Sequence, residues 1–531
     1  MPSLSAKYDV TIIGGGHNGL VSACYLAKAG LSVLVLEKNP ELGGATRSDQ
    51  AFDGMEARLS VYSYLVSLLP ERIISDLGLK LDLLPRGTAS YTPRIKDGHF
   101  SELLLLNHDP NHNRDAFANL TGSDSDYLGY AALQSMQESL ASLIWPSLTE
   151  PLVSKTDMKA RLDNEGKKAW QALIEEPLGQ VIEKKISSDL IRGLVFTDAK
   201  IGVSTHPHDP SLLQNRCFLY HVIGRGTGEW RVPKGGMGKL MSELVRVAES
   251  TGKVTFATNA IVHSVHPSGK LSSLVFELDG KNTQVDARFV LCNASAKELA
   301  RLTGKTETPD TIAEGTAFKV NMLLKRLPRL RSDKCPPEQA FEGTFHLNEG
   351  YRQMQESYDS SCSGKMPETQ PGEMYCHTLT DPSILSSQLQ SQGFHTLTLF
   401  GLDMPYRLFE EDNQRARDTA LQKYLAGINQ YLDEPIEECL ASDSQGKPCI
   451  EAMSSVDLEK KIHLPKGNIF HGDLTWPFVE SEEEVGLWGV ETEYPNLFLC
   501  GSSAKRGGAV SGIPGHNAAK KVLQVSMDGS I

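Results

Sequence analysis

A glycine-rich turn near the start of the chain constrains the fold more than any other feature of the sequence. Residues 8–13 form a β-rich run, Gly14-Gly15-Gly16-His17-Asn18-Gly19 follows at once, and residues 20–29 have the pattern of a helix. A second apolar run at 32–36 ends at Glu37. The glycine spacing alone is a weak signal, because 46 of the 531 residues are glycine. The full order of strand, turn, helix, strand and acid predicts a dinucleotide-binding βαβ unit.

The residues of this unit have separate physical roles. Gly14 permits the tight turn, Gly16 lets the backbone approach a pyrophosphate, and Gly19 allows close contact between helix and strand. Glu37 is placed to accept hydrogen bonds from the ribose hydroxyls and would repel a 2′-phosphate, so we expect FAD or NAD rather than NADP. The alternative is a structural glycine turn in an unrelated βαβ unit. We predict cofactor contacts from Gly14, Gly16, Asn18, Gly19, Glu37 and Lys38.

A second glycine pair follows the acid and favours FAD over NAD. It lies in residues 41–47 and resembles the Gly-Gly motif of flavoproteins in the glutathione-reductase superfamily. In those proteins the pair brings the backbone close to the pyrophosphate and ribityl chain of FAD, whereas a plain NAD dehydrogenase does not need it. The residues predicted to contact FAD here are Gly43, Gly44, Ala45 and Thr46.

The far end of the chain carries a third glycine-rich segment. Residues 496–500 have the pattern of a buried strand, a loop follows, and a helix starts near Pro514, which suits a first helical turn. A glycine-rich turn that leads into a helix N-terminus suits the electron-rich edge of a reduced flavin. The alternative is a surface loop. The candidate contacts are Gly501, Ser502, Gly512 and Ile513.

With these motifs at both ends, the whole chain resembles the phytoene-desaturase-like flavoproteins. It is most similar to the branch of pyridine nucleotide-disulfide oxidoreductase domain-containing proteins and carotenoid-isomerase relatives. The resemblance implies non-covalent FAD, with the backbone at Val262 pairing with the adenine. Two positions depart from the family: Lys505-Arg506 stand where a histidine is common, and Ala45 stands where many desaturases have arginine. The matching segments are 14–19, 228–240, 317–324, 457–474 and 494–519.

The fold class predicted is α/β, with a glutathione-reductase-type, Rossmann-like FAD-binding domain, an inserted mixed-sheet substrate domain and a helical cap. A stripe of Leu133, Met136, Leu140 and Leu143 at helical spacing predicts a helix that faces the core. The polar segment 351–372 is predicted to be a surface loop. The FAD domain is expected at 1–85, 230–305 and 485–531, the substrate domain at 86–115 and 306–484, and the cap at 116–229.

Composition and charge exclude several classes of protein. The chain has 53 Lys and Arg against 66 Asp and Glu, a formal net charge of −13, which argues against a nucleic-acid partner. None of the nine cysteines forms a Cys-x-x-Cys pair, which excludes a zinc ribbon and disulfide-reductase chemistry. No apolar run is long enough to span a membrane, so we expect a cytoplasmic protein. An apolar mouth docked on a bilayer surface remains compatible with this, and the oligomeric state is left open.

Candidate catalytic groups are fewer. His471 lies in a family motif and His516 lies in the first turn of the last helix, beside the proposed flavin edge. The alternatives are a buried histidine satisfied by Asp473 and a helix-terminal histidine bonded to the backbone. Lys505 and Arg506 are candidates to stabilise an anionic reduced flavin or bind a substrate carboxylate, with solvated surface charges as the alternative. The His-Pro-His segment at 206–208 is assigned to a loop, and no metal site is predicted.

The function predicted is an FAD-dependent oxidoreductase that takes a hydride from a C–H bond of a hydrophobic or conjugated small molecule. No second Gly-x-Gly-x-x-Gly occurs, so electrons are expected to pass to oxygen, a quinone or another diffusible acceptor. Three alternatives stay open. They are a redox-neutral, flavin-dependent double-bond isomerase, a non-catalytic lipid- or prenyl-binding protein on the same fold, and an amine oxidase with its flavin linked to Cys500.

Overall fold

The computed structural model describes residues 4–305 and 313–527. The strands are β1 (Lys7–Ile13), β2 (Val33–Leu36), β3 (Ser48–Gln50), β4 (Arg58–Ser60), β5 (Leu83–Leu84), β6 (Thr88–Lys96), β7 (His99–Leu106), β8 (Val232–Pro233), β9 (Val254–Ala257), β10 (Ala260–His266), β11 (Ser272–Leu278), β12 (Lys281–Cys292), β13 (Phe318–Leu324), β14 (Thr344–Leu347), β15 (Gly372–Tyr375), β16 (His395–Gly401), β17 (Ile450–Met453) and β18 (Leu497–Leu499).

The helices are α1 (His17–Lys28), α2 (Glu71–Leu77), α3 (Pro110–Thr121), α4 (Ser125–Ser147), α5 (Lys155–Ala160), α6 (Asn164–Trp170), α7 (Leu178–Lys185), α8 (Asp189–Phe196), α9 (Leu213–Val222), α10 (Met237–Ser250), α11 (Ala296–Leu302), α12 (Pro337–Glu342), α13 (Tyr351–Cys362), α14 (His377–Thr380), α15 (Ser387–Ser391), α16 (Asn413–Asn429), α17 (Ser455–Ile462) and α18 (Ile513–Met527).

The first sheet is the Rossmann-like part of the molecule. Its strand order is β10-β11-β12-β1-β2-β9, with β18 beside β12. The strands from β9 through β2 and β1 to β12 and β18 pair in parallel, whereas β10, β11 and β12 form an antiparallel meander. All four residues of β2 are buried, as expected for a parallel strand covered on both faces. Helices α1, α10 and α18 contribute to the core on this sheet. The predicted fold class is confirmed.

Three separated stretches of chain supply this sheet, at residues 7–36, 254–292 and 497–499. The exact domain boundaries stay a prediction, and residues 1–3, 306–312 and 528–531 of the predicted ranges lie outside the described residues. One predicted element differs. The alternating run at 254–265 predicts a single strand, but the structure divides it into β9 and β10, because Asn259 takes a left-handed backbone conformation with φ 55° and turns the chain.

The second sheet takes its strands from the ranges predicted for the substrate domain, whose role stays a prediction. Its order is β17-β13-β16-β15-β14-β6-β7, and it is mixed because β14 pairs with β6 in parallel while its other pairs are antiparallel. The loop expected at 351–372 is wrong in its first half, where residues 351–362 form α13. Tyr351 and Met354 pack into the core of the helical layer, and that burial stabilises the helix.

Helices α3 to α9 form the helical layer. Within α4, Leu133 and Leu140 are fully buried while Met136 and Leu143 pack against the same core, so the predicted stripe is confirmed. The 206–208 segment lies in the loop before α9, as expected. The nine cysteines, all within the described residues, are free thiols, and only Cys362 is exposed. In the described part of the chain no helix has both the length and the apolar character that crossing a bilayer requires.

Candidate active site

The turn between β1 and α1 forms a backbone cradle. Gly14 takes a φ of 96°, which an L side chain rarely adopts, and its N–H donates to the Leu36 carbonyl over 2.8 Å. A Cβ at Gly19 would lie 2.4 Å from the Gly14 carbonyl oxygen, so only glycine fits there. The first helical N–H groups of α1 therefore begin directly behind the turn, where an anion is favoured.

Glu37 is held in a fixed position at the end of β2. Its Oε2 atom accepts a hydrogen bond from the Gly15 N–H over 2.7 Å, and its Oε1 atom accepts one from the Asn39 N–H over 2.8 Å. The side chain is only 6% exposed and lines the cavity described below. These two bonds orient the carboxylate before any ligand binds, which is what a ribose-binding acid requires.

The second glycine pair lies directly against the first turn. The Gly43 N–H donates to the Gly15 carbonyl over 2.9 Å, and a Cβ at Gly44 would lie 3.6 Å from the Gly16 Cα. Gly43 itself has a φ of 120°. Two segments whose contacting glycines are 28 residues apart in sequence thus form one continuous cradle, which was the arrangement expected for FAD.

A cavity of about 750 Å³ runs along this cradle. This volume lies in the range of small-molecule and cofactor sites, roughly 300–1,000 Å³. The predicted cofactor residues that line it are Gly14, Gly16, Asn18, Glu37, Lys38, Gly44, Ala45, Thr46, Val262 and Ser502. The predicted residues that do not line it are Gly19, Gly43, Gly501, Gly512 and Ile513. These five residues lie behind the cavity wall. Gly501, for example, allows close backbone packing, since a Cβ there would lie 2.6 Å from the Asn293 carbonyl oxygen.

An aromatic wall continues the cavity beyond the second glycine pair. It consists of Tyr62, Tyr64, Tyr375 and Phe400, whose rings contact one another with centroids 4.7–5.9 Å apart. The Tyr62 N–H donates to the Ala45 carbonyl over 3.2 Å, so the wall begins where the cradle ends. The cavity therefore has two chemically different parts, a polar part at the glycine cradle and an aromatic part at the wall.

Lys319 anchors the segment that carries this wall. Its ammonium is fully buried and donates to the carbonyls of Ser60, over 2.7 Å, and Tyr62, over 2.9 Å. Burial lowers the pKa of Lys319 to about 7. Lys319 lies in one of the segments that resemble the family, and its role here is to fix the backbone at 60–62.

His471 is the predicted catalytic residue that does line the cavity. Its backbone has a φ of 63°, and its Nδ1 atom lies 3.5 Å from Ser503 Oγ. Burial, with a smaller effect from His17, lowers the pKa of His471 to about 4. The ring is therefore neutral at physiological pH and can accept or donate one hydrogen bond without carrying charge.

The other three predicted catalytic residues lie away from the cavity. Arg506 donates to three backbone carbonyls, those of Ser147, Glu150 and Trp488, over 2.7–2.9 Å. Burial lowers the pKa of Arg506 to about 10, so it stays a cation that joins its own loop to the end of α4 and to Trp488.

Lys505 and His516 also have structural partners. The Lys505 ammonium lies 2.5 Å from Glu484. The His516 ring contacts Tyr25 edge-on at 5.1 Å and bonds the Asn517 side chain. Neither Lys505 nor Arg506 lines this cavity, but both line a smaller neighbouring cavity that shares His471 and Ser502 with it, so their role beside the flavin stays a prediction.

Sequence reasoning missed a group of ionisable residues that line the same cavity. Asp198 follows α8, His346 lies on β14 and Glu373 lies on β15, while Arg86 precedes β6. Burial, followed by repulsion from Glu373, raises the pKa of Asp198 to about 7, and burial, followed by repulsion from Glu349, raises the pKa of Glu373 to about 7. The sequence does show an ionisable residue inside each of two short apolar strands, His346 in β14 and Glu373 in β15. That pattern does not indicate which of these residues lie close together in the fold.

The cradle fits a dinucleotide. Beside the glycine turn, Asn18 Oδ1 and His17 Nε2 are buried polar atoms that have no hydrogen-bond partner among the described residues. Both residues line the cavity, together with the carboxylate of Glu37. Buried polar atoms normally find partners, so these two atoms indicate that a polar ligand completes the site.

Comparisons with known proteins agree with this geometry. A family profile described as NAD(P)-binding Rossmann-like domain matches residues 12–69. An uncharacterized protein of Mycobacterium tuberculosis is 45% identical over 526 residues, 97% of each chain. Pyridine nucleotide-disulfide oxidoreductase domain-containing protein 2 of Mus musculus is 28% identical over 573 residues, covering 98% of this chain and 94% of the relative.

A solved structure of an oxidoreductase from Methanosarcina mazei shares the fold, with a TM-score of 0.57 at 15% identity over 98% of this chain and 100% of its own. The shared fold alone does not assign a family, whereas sequence identity over nearly the whole chain does. The chain belongs to one family with the mycobacterial protein, and pyridine nucleotide-disulfide oxidoreductase domain-containing protein 2 of Mus musculus is a more distant relative over nearly its full length.

Proposed function

We propose that the protein is an FAD-dependent oxidoreductase that takes a hydride from a C–H bond of a small molecule with an apolar or conjugated body. The observation that carries this proposal is the single cavity shared by the dinucleotide cradle and the aromatic wall. A cofactor held in the cradle and a substrate held at the wall would be neighbours, because Ala45 and Tyr62 are hydrogen-bonded to each other.

Particular residues would hold the cofactor. Glu37 would accept hydrogen bonds from the adenosine ribose, and Val262 would lie at the adenine. The backbone at Gly14 and Gly16, with the N-terminus of α1, would bind the pyrophosphate. Gly44, Ala45, Thr46 and Ser502 line the rest of the path. Bound there, FAD supplies a two-electron acceptor that amino-acid side chains lack.

The chain itself provides the surroundings of the reaction. The aromatic wall excludes water and offers flat apolar faces to the substrate body. Neutral His471 offers a hydrogen bond at the cavity surface. The electron acceptor is proposed to be diffusible, such as oxygen or a quinone, since the chain has one glycine fingerprint and not two. Cys500 is fully buried and does not line the cavity, which favours a non-covalent flavin.

The test begins with FAD binding by the purified full-length chain. We expect a yellow protein whose absorbance bleaches under anaerobic conditions with a substrate from a metabolite screen and recovers with oxygen or a quinone. A folded, colourless protein that FAD titration cannot reconstitute would overturn the proposal. Product formed without any consumption of acceptor would instead identify the double-bond isomerase, and binding without any turnover would identify the non-catalytic lipid carrier.

A further inference from the structure

A carboxylate cluster lies beside the aromatic wall and has no part in holding the dinucleotide. It consists of Asp198, His346, Glu349 and Glu373, with ligand atoms of the last three within 4.8 Å of one another. Glu373 accepts hydrogen bonds from Tyr375, a member of the aromatic wall, and from Thr197 over 3.3 Å. His346 Nδ1 contacts the Glu349 carboxyl closely. The cluster and the wall are therefore in direct contact.

Polar atoms of this cluster lack partners within the described part of the chain. Glu349 is 2% exposed, and its Oε1 atom has no hydrogen-bond partner there. The Asp198 carboxylate lines the cavity and receives no hydrogen bond or ion pair from the described residues. Of these two groups only Asp198 faces the cavity, and an unpartnered polar group away from water costs about 1–3 kcal/mol, more when it is charged, so a ligand that supplies a donor to Asp198 is favoured.

Charge indicates the kind of donor. The three carboxyl groups share this region with the guanidinium of Arg86, which interacts electrostatically with Glu373, lies over the Tyr375 ring at 5.9 Å and donates to the Thr344 hydroxyl. Burial lowers the pKa of His346, so its ring is neutral. Tyr64 and Tyr375 face the same groups and stay uncharged because burial raises their pKa values. The cluster thus carries more acid than base, and an added cation would relieve the repulsion among the carboxylates.

We propose that the substrate carries a protonated amine, which Asp198 and Glu373 bind while the apolar body of the substrate lies against the aromatic wall. This inference rests on the proposed function and names its substrate class. A pure hydrocarbon would bury the Asp198 carboxyl without a partner, which is unfavourable. A metal ion is disfavoured because Arg86 lies at the same cluster and because Glu349, unlike Asp198 and Glu373, does not line the cavity.

The experiment compares three ligands of matched shape on the FAD-loaded protein at about pH 8. The probes are 3-phenylpropylamine, 3-phenylpropanol and propylbenzene, and binding is measured by calorimetry and by the change in flavin absorbance. We expect the amine to bind at least tenfold more tightly than the alcohol. Asp198→Asn should remove most of that preference while leaving alcohol binding within about threefold.

Glu298→Gln is the matched control. Glu298 lines the same cavity, but both of its carboxylate oxygens already accept hydrogen bonds from Arg301, over 2.7 and 2.9 Å, so its loss should leave the preference for the amine unchanged. Equal or weaker binding of the amine, including no binding, would overturn the inference, and so would equal losses for amine and alcohol in Asp198→Asn. A tightly held divalent ion that disappears in His346→Ala would also overturn it.

Failure of the proposed function looks different. A protein that binds no FAD contradicts the oxidoreductase proposal, whereas calorimetry still reports whether the amine is preferred. If a hydrocarbon reduces the bound FAD, the oxidoreductase proposal stands and only the inference of an amine substrate is contradicted.

Discussion

The Oε2 atom of Glu37 accepts a hydrogen bond from the backbone N–H of Gly15 over 2.7 Å. The acid that would bind the ribose is therefore aimed by the same turn that would bind the phosphates. Glu37→Ala should weaken FAD binding by about 10–100-fold, since a hydrogen bond to a charged group is worth about 1.5–3 kcal/mol. Fluorescence titration of the apoprotein with FAD measures this. Glu41→Gln, at an exposed glutamate nearby, should change little, and unchanged affinity in Glu37→Ala would remove the ribose assignment.

A second prediction concerns the crossing of α1 and α18. A Cβ at Gly515 would lie 2.1 Å from the Asn18 carbonyl oxygen, and Ser22 Oγ donates to the Gly515 carbonyl over 2.8 Å. Gly515→Ala should therefore separate the helices and destabilise the fold by about 1–3 kcal/mol, the usual cost of overpacking. Thermal unfolding provides the measurement, with Lys520→Ala on the same helix as the control. An unaltered melting temperature in Gly515→Ala would show that the helices can shift freely.

Arg506 and Lys505 form a natural pair for comparison. Arg506→Gln should lower the free energy of unfolding by about 1.5–3 kcal/mol or more, because three backbone carbonyls lose a charged donor. Lys505→Gln removes a surface ion pair worth at most about 1 kcal/mol. Chemical denaturation of both variants tests this. If Arg506→Gln kept full stability but slowed flavin reduction, the catalytic role expected from the sequence would be supported.

The carboxylate cluster predicts a pH dependence of stability. Burial raises the pKa of Glu373 from its ordinary 4.5 to about 7. Between these values the folded state holds a proton that the unfolded state has lost, so the stability contributed by this group falls as pH rises through about 7. Glu373→Gln should therefore melt higher relative to the wild type at about pH 8.5 than at about pH 5. Glu249→Gln, at an exposed glutamate, should show no such change. A melting-temperature difference between Glu373→Gln and the wild type that decreases as pH rises would contradict the prediction.

The sequence was sufficient for the cradle because its signal is local. Gly14, Gly19 and Glu37 lie within one βαβ unit, and each has a backbone or charge requirement that only a few residue types meet. The fold class followed from these motifs and from the family resemblance. The stripe on α4 was equally readable, since helical periodicity reports burial directly.

The carboxylate cluster could not be predicted from the sequence, because its residues are distant in the chain and meet only in the tertiary structure. His346 and Glu373 are brought together by the pairing of β14 with β15, and Asp198 joins them from the helical layer. Such contacts depend on tertiary placement, which spacing along the chain does not encode. Arg506 shows a related limit: charge near a glycine-rich loop suggested a ligand, but a left-handed φ of 62° at that residue accompanies its turn towards three carbonyls.

The sheet that carries the cradle has a consequence for how the protein is made. Strand β12 lies between β1, from the first residues, and β18, from the last fifty, and Gly515 completes the packing of the helix that begins at His17. During synthesis the N-terminal glycine turn leaves the ribosome long before these neighbours exist. One apolar face of α1 therefore stays uncovered until residues 497–515 have been made, and we expect a chain truncated before these residues to leave that face exposed.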